Sequence, residues 1–454
     1  MAEENTHEVT SEAKVIFFMF GGLALGAFLK EVNKKTGFPY TPLLFLIGIA
    51  FGYFYPKIGL FGEAAFLMSN VDPHGMLMIF LPTLIFESGF NADWHVFKKQ
   101  FVQVFFLAVP CVFVSAIFLA FSIKVVLGYD DNYFTWSSAF LFGSILSCTD
   151  TVAVLALLKE AGAAKKFNSL IEGESLLNDG TCMVLLSIAA DLVKGKAMTP
   201  SDITVKFFEL TLGGALVGLV FGVVTAFWIK KIFNDEVLVV NLTFICPYLL
   251  YFVCENVDLG IEVSGIIALV SCGLFMAAFG KTRISSETDH AVHTYWSYVV
   301  YAAETIIFLM AGVIIGIKVI LGEAEEGAIP ITYIDYIKLL GLYLCMMGAR
   351  YFSIAMFMPI IKTQGYGLTW DEVFILMYGG LRGAIGICFA LIIAGDDTYS
   401  ATLRQMILFD MAGCAILTLI INGTTTTWMI KRRGLNKTSE VKERVFINYL
   451  ENFQ

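Results

Sequence analysis

Charge is scarce in this sequence. Only 15% of its 454 residues are Asp, Glu, Lys or Arg, against 57% hydrophobic ones. A soluble domain of this size needs a more polar surface, so a water-facing globular fold is excluded and the solvent is a bilayer. The net charge of −9 is modest and spread through loops, which argues against a nucleic-acid partner. Histidine is rarer still, at five residues, and no zinc-binding His pair on a helix exists to support an intramembrane metalloenzyme. The nine cysteines lack zinc spacing. Most, such as Cys111, Cys148, Cys182, Cys246, Cys272 and Cys345, lie inside apolar runs and read as small membrane-buried residues. The opening "MAEENTHEVTSEAK" lacks the basic region of a secretory signal.

What is abundant is long apolar runs. The pattern predicts an all-α polytopic membrane protein with thirteen spans, at about 14–30, 40–56, 74–91, 98–127, 135–159, 166–193, 206–232, 236–254, 259–280, 292–321, 331–361, 370–394 and 402–430. Residues 1–13 form a polar N-terminal segment, and 431–454 a basic, amphipathic tail. One set of alternate loops carries Lys30, Lys34, Lys35, Lys98, Lys99, Lys159, Lys165, Lys166, Lys230, Lys231, Lys281 and Arg283, and the tail adds Lys431, Arg432 and Arg433. The other set holds "YDDNY", "ENVD", "GEAEEG" and "AGDD". The positive-inside rule puts the first set and the C-terminus in the cytoplasm and the N-terminus outside.

Two spans are abnormal. The fifth has a hydroxyl-rich middle with Ser144, Ser147, Thr149, Asp150 and Thr151; the twelfth has Gly379, Gly380, Gly383 and Gly386 around Arg382. Both read as broken helices, because Gly forms helix weakly and hydroxyls satisfy freed backbone groups. They stand seven spans apart, as six-span inverted repeats joined by one linker span would place them.

The sixth span carries "IEGESLLNDG". An ionised carboxylate at mid-membrane costs about 2.5–3.5 kcal/mol, so acids there have a purpose. On a helix Glu174 and Asn178 are i and i+4, as are Ser175 and Asp179, and together they make one polar face. Asp150 can meet that face where its own helix breaks, and the unwound turn offers carbonyls, that of Thr149 among them. Hard oxygen ligands suit a small hard cation. A carboxylate in a low-dielectric pocket holds either a proton or a cation, and that competition is the basis of exchanging one for the other. Glu174 reads as structural, because Arg350 sits mid-span and needs an anion. Arg382 needs one too, and Glu87 or Glu304 can supply it. Glu262 and Asp410 are read as secondary, and His95, His290 and His293 as loop or span-end residues.

At these residues the sequence resembles the monovalent cation/proton antiporters, the sodium/proton exchanger family. "EGESLLNDG", "SCTDTVAVLALLKE", "ETIIFLMAG" and "YGGLRGAIG" carry the resemblance from about Val15 to Ile430. "LPTLIFESGF" and "NDGT" look closest to the plant plasma-membrane and sperm-type branch. The resemblance implies a homodimer of the sodium/proton antiporter fold. A dimerisation part would occupy about 14–91 and 206–321, and a mobile core about 98–193 and 331–430, with elevator-type alternating access. It implies a Na⁺ site at Asp179 and Asp150, with Asn178, Thr149 and Ser175 beside it. Glu174 and Arg350 match a core ion pair, and Arg382 the arginine of the second broken helix. Thr151 stands where the family has Pro, which softens the expected break.

The resulting expectation is an electroneutral antiporter of the plasma or ciliary membrane. It would exchange Na⁺, or K⁺, for H⁺ without a cofactor, surrounded by lipid and regulated by cytosolic partners at the tail. A degenerate scaffold or sensor subunit, and a cation leak pathway, are the alternatives. The intact polar cluster argues against the first. The absence of a polar-lined path in the sequence argues against the second.

Overall fold

The computed structural model describes residues 10–36, 40–131, 133–150, 154–155, 158, 163–232, 235–258, 260–320 and 331–433. Thr151, Lys159, residues 1–9 and the tail beyond Arg433 lie outside the described residues.

The described chain is helical. In order the helices are α1 (Ser11–Thr36), α2 (Tyr40–Tyr53), α3 (Leu60–Ser69), α4 (Pro73–Asn91), α5 (Trp94–Ala108), α6 (Pro110–Phe121), α7 (Trp136–Ser147), α8 (Lys165–Val193), α9 (Pro200–Ile229), α10 (Glu236–Asn256), α11 (Gly265–Phe275), α12 (Ser286–Ile315), α13 (Tyr333–Thr363), α14 (Trp370–Tyr378), α15 (Ala384–Gly395), α16 (Ala401–Leu417) and α17 (Gly423–Arg432). Short polar residues start them. Asp93, Thr135, Ser264, Ser285 and Ser400 each accept a first-turn N–H through the side chain, and Thr199 and Thr369 close full capping boxes with Asp202 and Glu372.

Among the described residues nine helical stretches are long and apolar enough to cross a bilayer, and ten if α3 and α4, bent by 94° at their junction, are taken as one. The expected second, fifth and twelfth spans fall on the shorter apolar helices α2, α7 and α15. Helix α3 is a departure, since its residues read as a connection. Gly59, at φ 61°, turns the chain into it, a conformation that favours Gly.

Close helix approach is made by small residues. Where α2 crosses α12, a Cβ on Gly48 would lie 2.5 Å from the Leu309 carbonyl oxygen, and one on Gly316 would lie 2.5 Å from that of Ile49. Gly89 of α4 faces Gly273 of α11 in the same way. Without side chains between them, these backbones gain dispersion contact that lipid cannot supply. A separate apolar cluster joins Phe97 and Val104 of α5, Leu170 of α8, Ile354 of α13 and Leu376 of α14. The polar residues of α8 are therefore held among α5, α7, α13 and the α14–α15 junction.

Candidate functional site

The site begins with two interrupted helices. Helix α7 ends at Ser147, and its hydroxyls are turned back on the backbone: Ser144 donates to the Phe140 carbonyl at 2.8 Å and Ser147 to that of Ser144 at 2.7 Å. Cys148–Asp150 then run extended, and Val154, Leu155 and Leu158 are helical again. Helix α14 ends at Tyr378, Gly379–Gly383 are not helical, and α15 starts at Ala384. The two breaks touch through an antiparallel bridge in which the Asp150 N–H donates to the Leu381 carbonyl at 2.9 Å. The glycines permit this. A Cβ on Gly380 would lie 2.5 Å from the Arg350 side chain, and one on Gly383 would overlap the Asp150 carboxylate.

Helix α8 lies across the bridge and presents Glu174, Ser175, Asn178 and Asp179, all buried. The Asn178 amide donates to Thr149 twice, at 3.1 Å to its carbonyl and 2.7 Å to its hydroxyl. Asp179 Oδ1 accepts from the Cys148 thiol at 3.4 Å, and Asn178 Oδ1 from the Cys182 thiol at 3.2 Å. Cys148 and Cys182 read from sequence as inert fillers, yet they touch the two central polar residues. The position of Cys182, i+4 from Asn178, was the signal available.

Glu174 Oε1 lies 2.8 Å from Arg350 Nη2. The same guanidinium reaches across the crossing, with Nε and Nη2 donating to the Leu376 carbonyl at 3.2 and 3.0 Å and Nη1 to the Thr149 hydroxyl at 3.2 Å. Arg382 differs from expectation. Its Nη1 donates to the Cys148 carbonyl and its Nε to the Met346 sulfur at 2.9 Å. Neither Glu87 nor Glu304 is its partner. Glu87 accepts from Asn91 Nδ2 at 2.6 Å and Glu304 from the Tyr40 hydroxyl at 2.8 Å. The physical reason is that the last carbonyls of a half-helix carry partial negative charge and serve an arginine as a carboxylate would. Asp410 accepts from the Tyr129 hydroxyl at 2.7 Å, and Glu262 pairs with Lys206 at 2.7 Å, both away from the crossing.

A cavity of about 1000 Å³ reaches this place. At depth it is lined by Asp150, Ser175 and Asp179 of the crossing and by Glu304 of α12; toward its mouth stand His95, Lys165, Lys281 and His293. Those lysines belong to the loop set that the positive-inside rule assigns to the cytoplasm. At the mouth Lys165 and Asp93 pair at 2.6 Å, and this hydrogen bond holds the Asp93 carboxyl below its usual range. Thr149 and Asn178 do not line the cavity, because each is occupied with the other.

The sequence profile described as "Sodium/hydrogen exchanger, transmembrane" matches residues 15–432. The chain belongs to that family. The sodium/hydrogen exchanger kinship extends to plants: the chain is 33% identical over 443 residues to "Sodium/hydrogen exchanger 7" of Arabidopsis thaliana, covering 96% of this chain and 38% of that one. With "Sodium/hydrogen exchanger 8" of the same plant it shares 32%, covering 96% and 57%. It thus spans between about two-fifths and three-fifths of the length of these relatives. In fold it is similar to the sodium proton antiporter MjNhaP1 from Methanocaldococcus jannaschii, with a TM-score of 0.74 over 94% of this chain and all of that one, at 18% identity. The all-helical sodium/proton antiporter fold that the resemblance implied is therefore present.

Proposed function

We propose that this protein exchanges Na⁺, or K⁺, for H⁺ across a membrane, with Asp179 as the carboxylate that takes either ion. The observation that carries this reading is the cavity that ends on Asp179, Asp150 and Ser175 at the crossing of two broken helices. Those three side chains offer oxygens to an arriving cation. Asn178 and Thr149, bonded to one another, act as the frame that keeps the break open rather than as direct ligands.

Charge supports a one-for-one exchange. Glu174, Asp150 and Asp179 stand against Arg350 and Arg382, so the crossing with its acids ionised carries one negative charge in excess. One monovalent cation or one proton neutralises it, and either loaded form crosses the low-dielectric membrane more readily than the empty one. Helices α5–α8 and α13–α17 would move as the carrier core against α1–α4 and α9–α12, which would also form the homodimer contact. The open cavity corresponds to the cytoplasm-facing state. We place the protein in the plasma membrane with its C-terminus in the cytoplasm, where the tail would meet regulatory partners.

The test is proton flux in proteoliposomes driven in turn by Na⁺, K⁺ and Li⁺ gradients. Flux with at least one of these ions is expected, and Asp179→Asn should abolish it while the protein still elutes as a folded dimer. Absence of flux with every cation would leave a scaffold or sensor role.

A further inference from the structure

Two features of the crossing are left over by the exchange reading. Glu174 gives one oxygen to Arg350, but its other oxygen, Oε2, is fully enclosed and has no hydrogen-bond partner among the described residues. Arg382, also buried, has a carbonyl and a thioether for its guanidinium partners and no carboxylate among the described residues. A buried carboxylate oxygen without a donor is more costly than an unsatisfied neutral group, because it keeps its charge without solvation.

Both residues line the same small internal cavity, about 10 Å³ in volume, which shares no lining residue with the large one. That is on the scale of a single water. Its other polar walls are Ser115, Ser147, Ser353, Thr149 and Arg350. We infer that one water molecule is bound in this cavity and bridges the Glu174 carboxylate to Arg382.

The chemistry of the walls selects water over an ion. The serine protons are spent: Ser115 donates to the Ser353 hydroxyl at 2.9 Å, Ser353 to the Arg350 carbonyl at 3.1 Å, and Ser147 to the Ser144 carbonyl at 2.7 Å. These hydroxyls, like Glu174 Oε2, can only accept. Arg350 bonds through Nε and Nη2 to Leu376, through Nη2 to Glu174 and through one hydrogen of Nη1 to Thr149. The bonds of Arg382 run through Nε and one hydrogen of Nη1, which leaves its terminal nitrogens with donors to spare. The occupant must give one hydrogen to Glu174, give another to a serine oxygen, and accept from Arg382 or from the Thr149 hydroxyl, which itself only accepts from Asn178 and Arg350. A cation is opposed by two guanidiniums and an anion by Glu174, whereas water meets all three demands.

The bridge makes one unit of Arg350, Glu174, the water and Arg382. Arg350 holds the end of α14, Arg382 holds the end of α7, and Glu174 ties both to α8. The inference concerns how the crossing is held together and does not depend on which ions are exchanged.

A structure of the full chain at about 2 Å resolution or better tests it. The expected result is an isolated peak within hydrogen-bond distance of both Glu174 Oε2 and a terminal nitrogen of Arg382. An empty cavity, or Glu174 Oε2 bonded directly to a protein donor, would overturn the inference. Ala349→Val supplies the second measurement, because Ala349 lines the cavity and the added methyls take the water's place. With a water bound, the variant should lose the peak and melt a few degrees lower, since Glu174 Oε2 is stranded. A dry cavity would gain packing, and an unchanged or raised melting temperature would therefore count against a water.

Discussion

The carboxylate of Asp150 lies against Gly383, the residue that caps the N-terminus of α15. An acid from one broken helix thus sits at the positive end of the other. The arginines mirror this at the negative ends, Arg382 on the Cys148 carbonyl at the close of α7 and Arg350 on the Leu376 carbonyl near the close of α14. These three described helix ends expose unsatisfied backbone groups and a partial charge, and each is met by a full charge of opposite sign.

Gly383→Ala should therefore disable transport through geometry alone. Its methyl would claim the space of the Asp150 carboxylate, and a shift of about 1 Å in a positioned group costs on the order of 100-fold in rate. Exchange assayed in vesicles should fall to that extent while membrane insertion and yield are kept. Wild-type exchange by the alanine variant would show that the contact does not matter.

Glu174→Gln should act mainly on stability. Breaking a buried ion pair leaves an uncompensated charge and costs about 3–5 kcal/mol. Here the stranded group is Arg350, whose side chain is 10% exposed. Lower folding yield and a lower melting temperature are expected, with cation affinity little changed in whatever folds. Normal melting combined with lost cation binding would instead make Glu174 a ligand.

The stoichiometry can be read from voltage. An imposed potential of about 100 mV is worth roughly 2.3 kcal/mol per charge moved. One-for-one exchange should reach the same Na⁺ distribution with and without it. A shift in that end point would mean that Asp150 also exchanges its proton, giving two protons per cation.

The Asp93–Lys165 pair predicts an acid-dependent change at the cavity mouth. Because Lys165 lowers the Asp93 pKa in the folded protein, the pair adds stability at neutral pH and loses it as pH falls through and below the usual carboxylate range. The lysine side chain is 79% exposed, so the effect is small. Asp93→Asn should flatten the acid side of the melting-temperature profile relative to wild type. Superimposable profiles would remove the pair from any role in acid sensitivity.

Much of this was legible because membrane burial makes polar residues conspicuous. The i, i+4 spacing of Glu174 with Asn178 and Ser175 with Asp179 put four groups on one face, and hydroxyls and glycines marked the interruptions. The Glu174–Arg350 contact followed from charge balance. Arg382 did not yield to the same reasoning, because its partner is a main-chain carbonyl and no letter in a sequence reports where a helix end will lie. Cys148 and Cys182 were hidden by their apolar neighbours. Helix α3 was missed because residues 57–73 fell between the second and third expected spans and were given no element. The placement of Glu304 opposite the crossing, bonded to Tyr40, depends on how α2 meets α12 and has no local signature.

That meeting of α2 and α12 has a mechanical consequence. Backbone rests on backbone at Gly48 and Gly312 and again at Gly52 and Gly316, with no side chain between to change rotamer or compress. The two helices are packed backbone to backbone, and α12 also presents Glu304 and Phe308 to the large cavity. If the crossing moves as proposed, this glycine-packed pair would serve as the fixed wall, and the movement would be taken up along the side chains between that wall and the crossing.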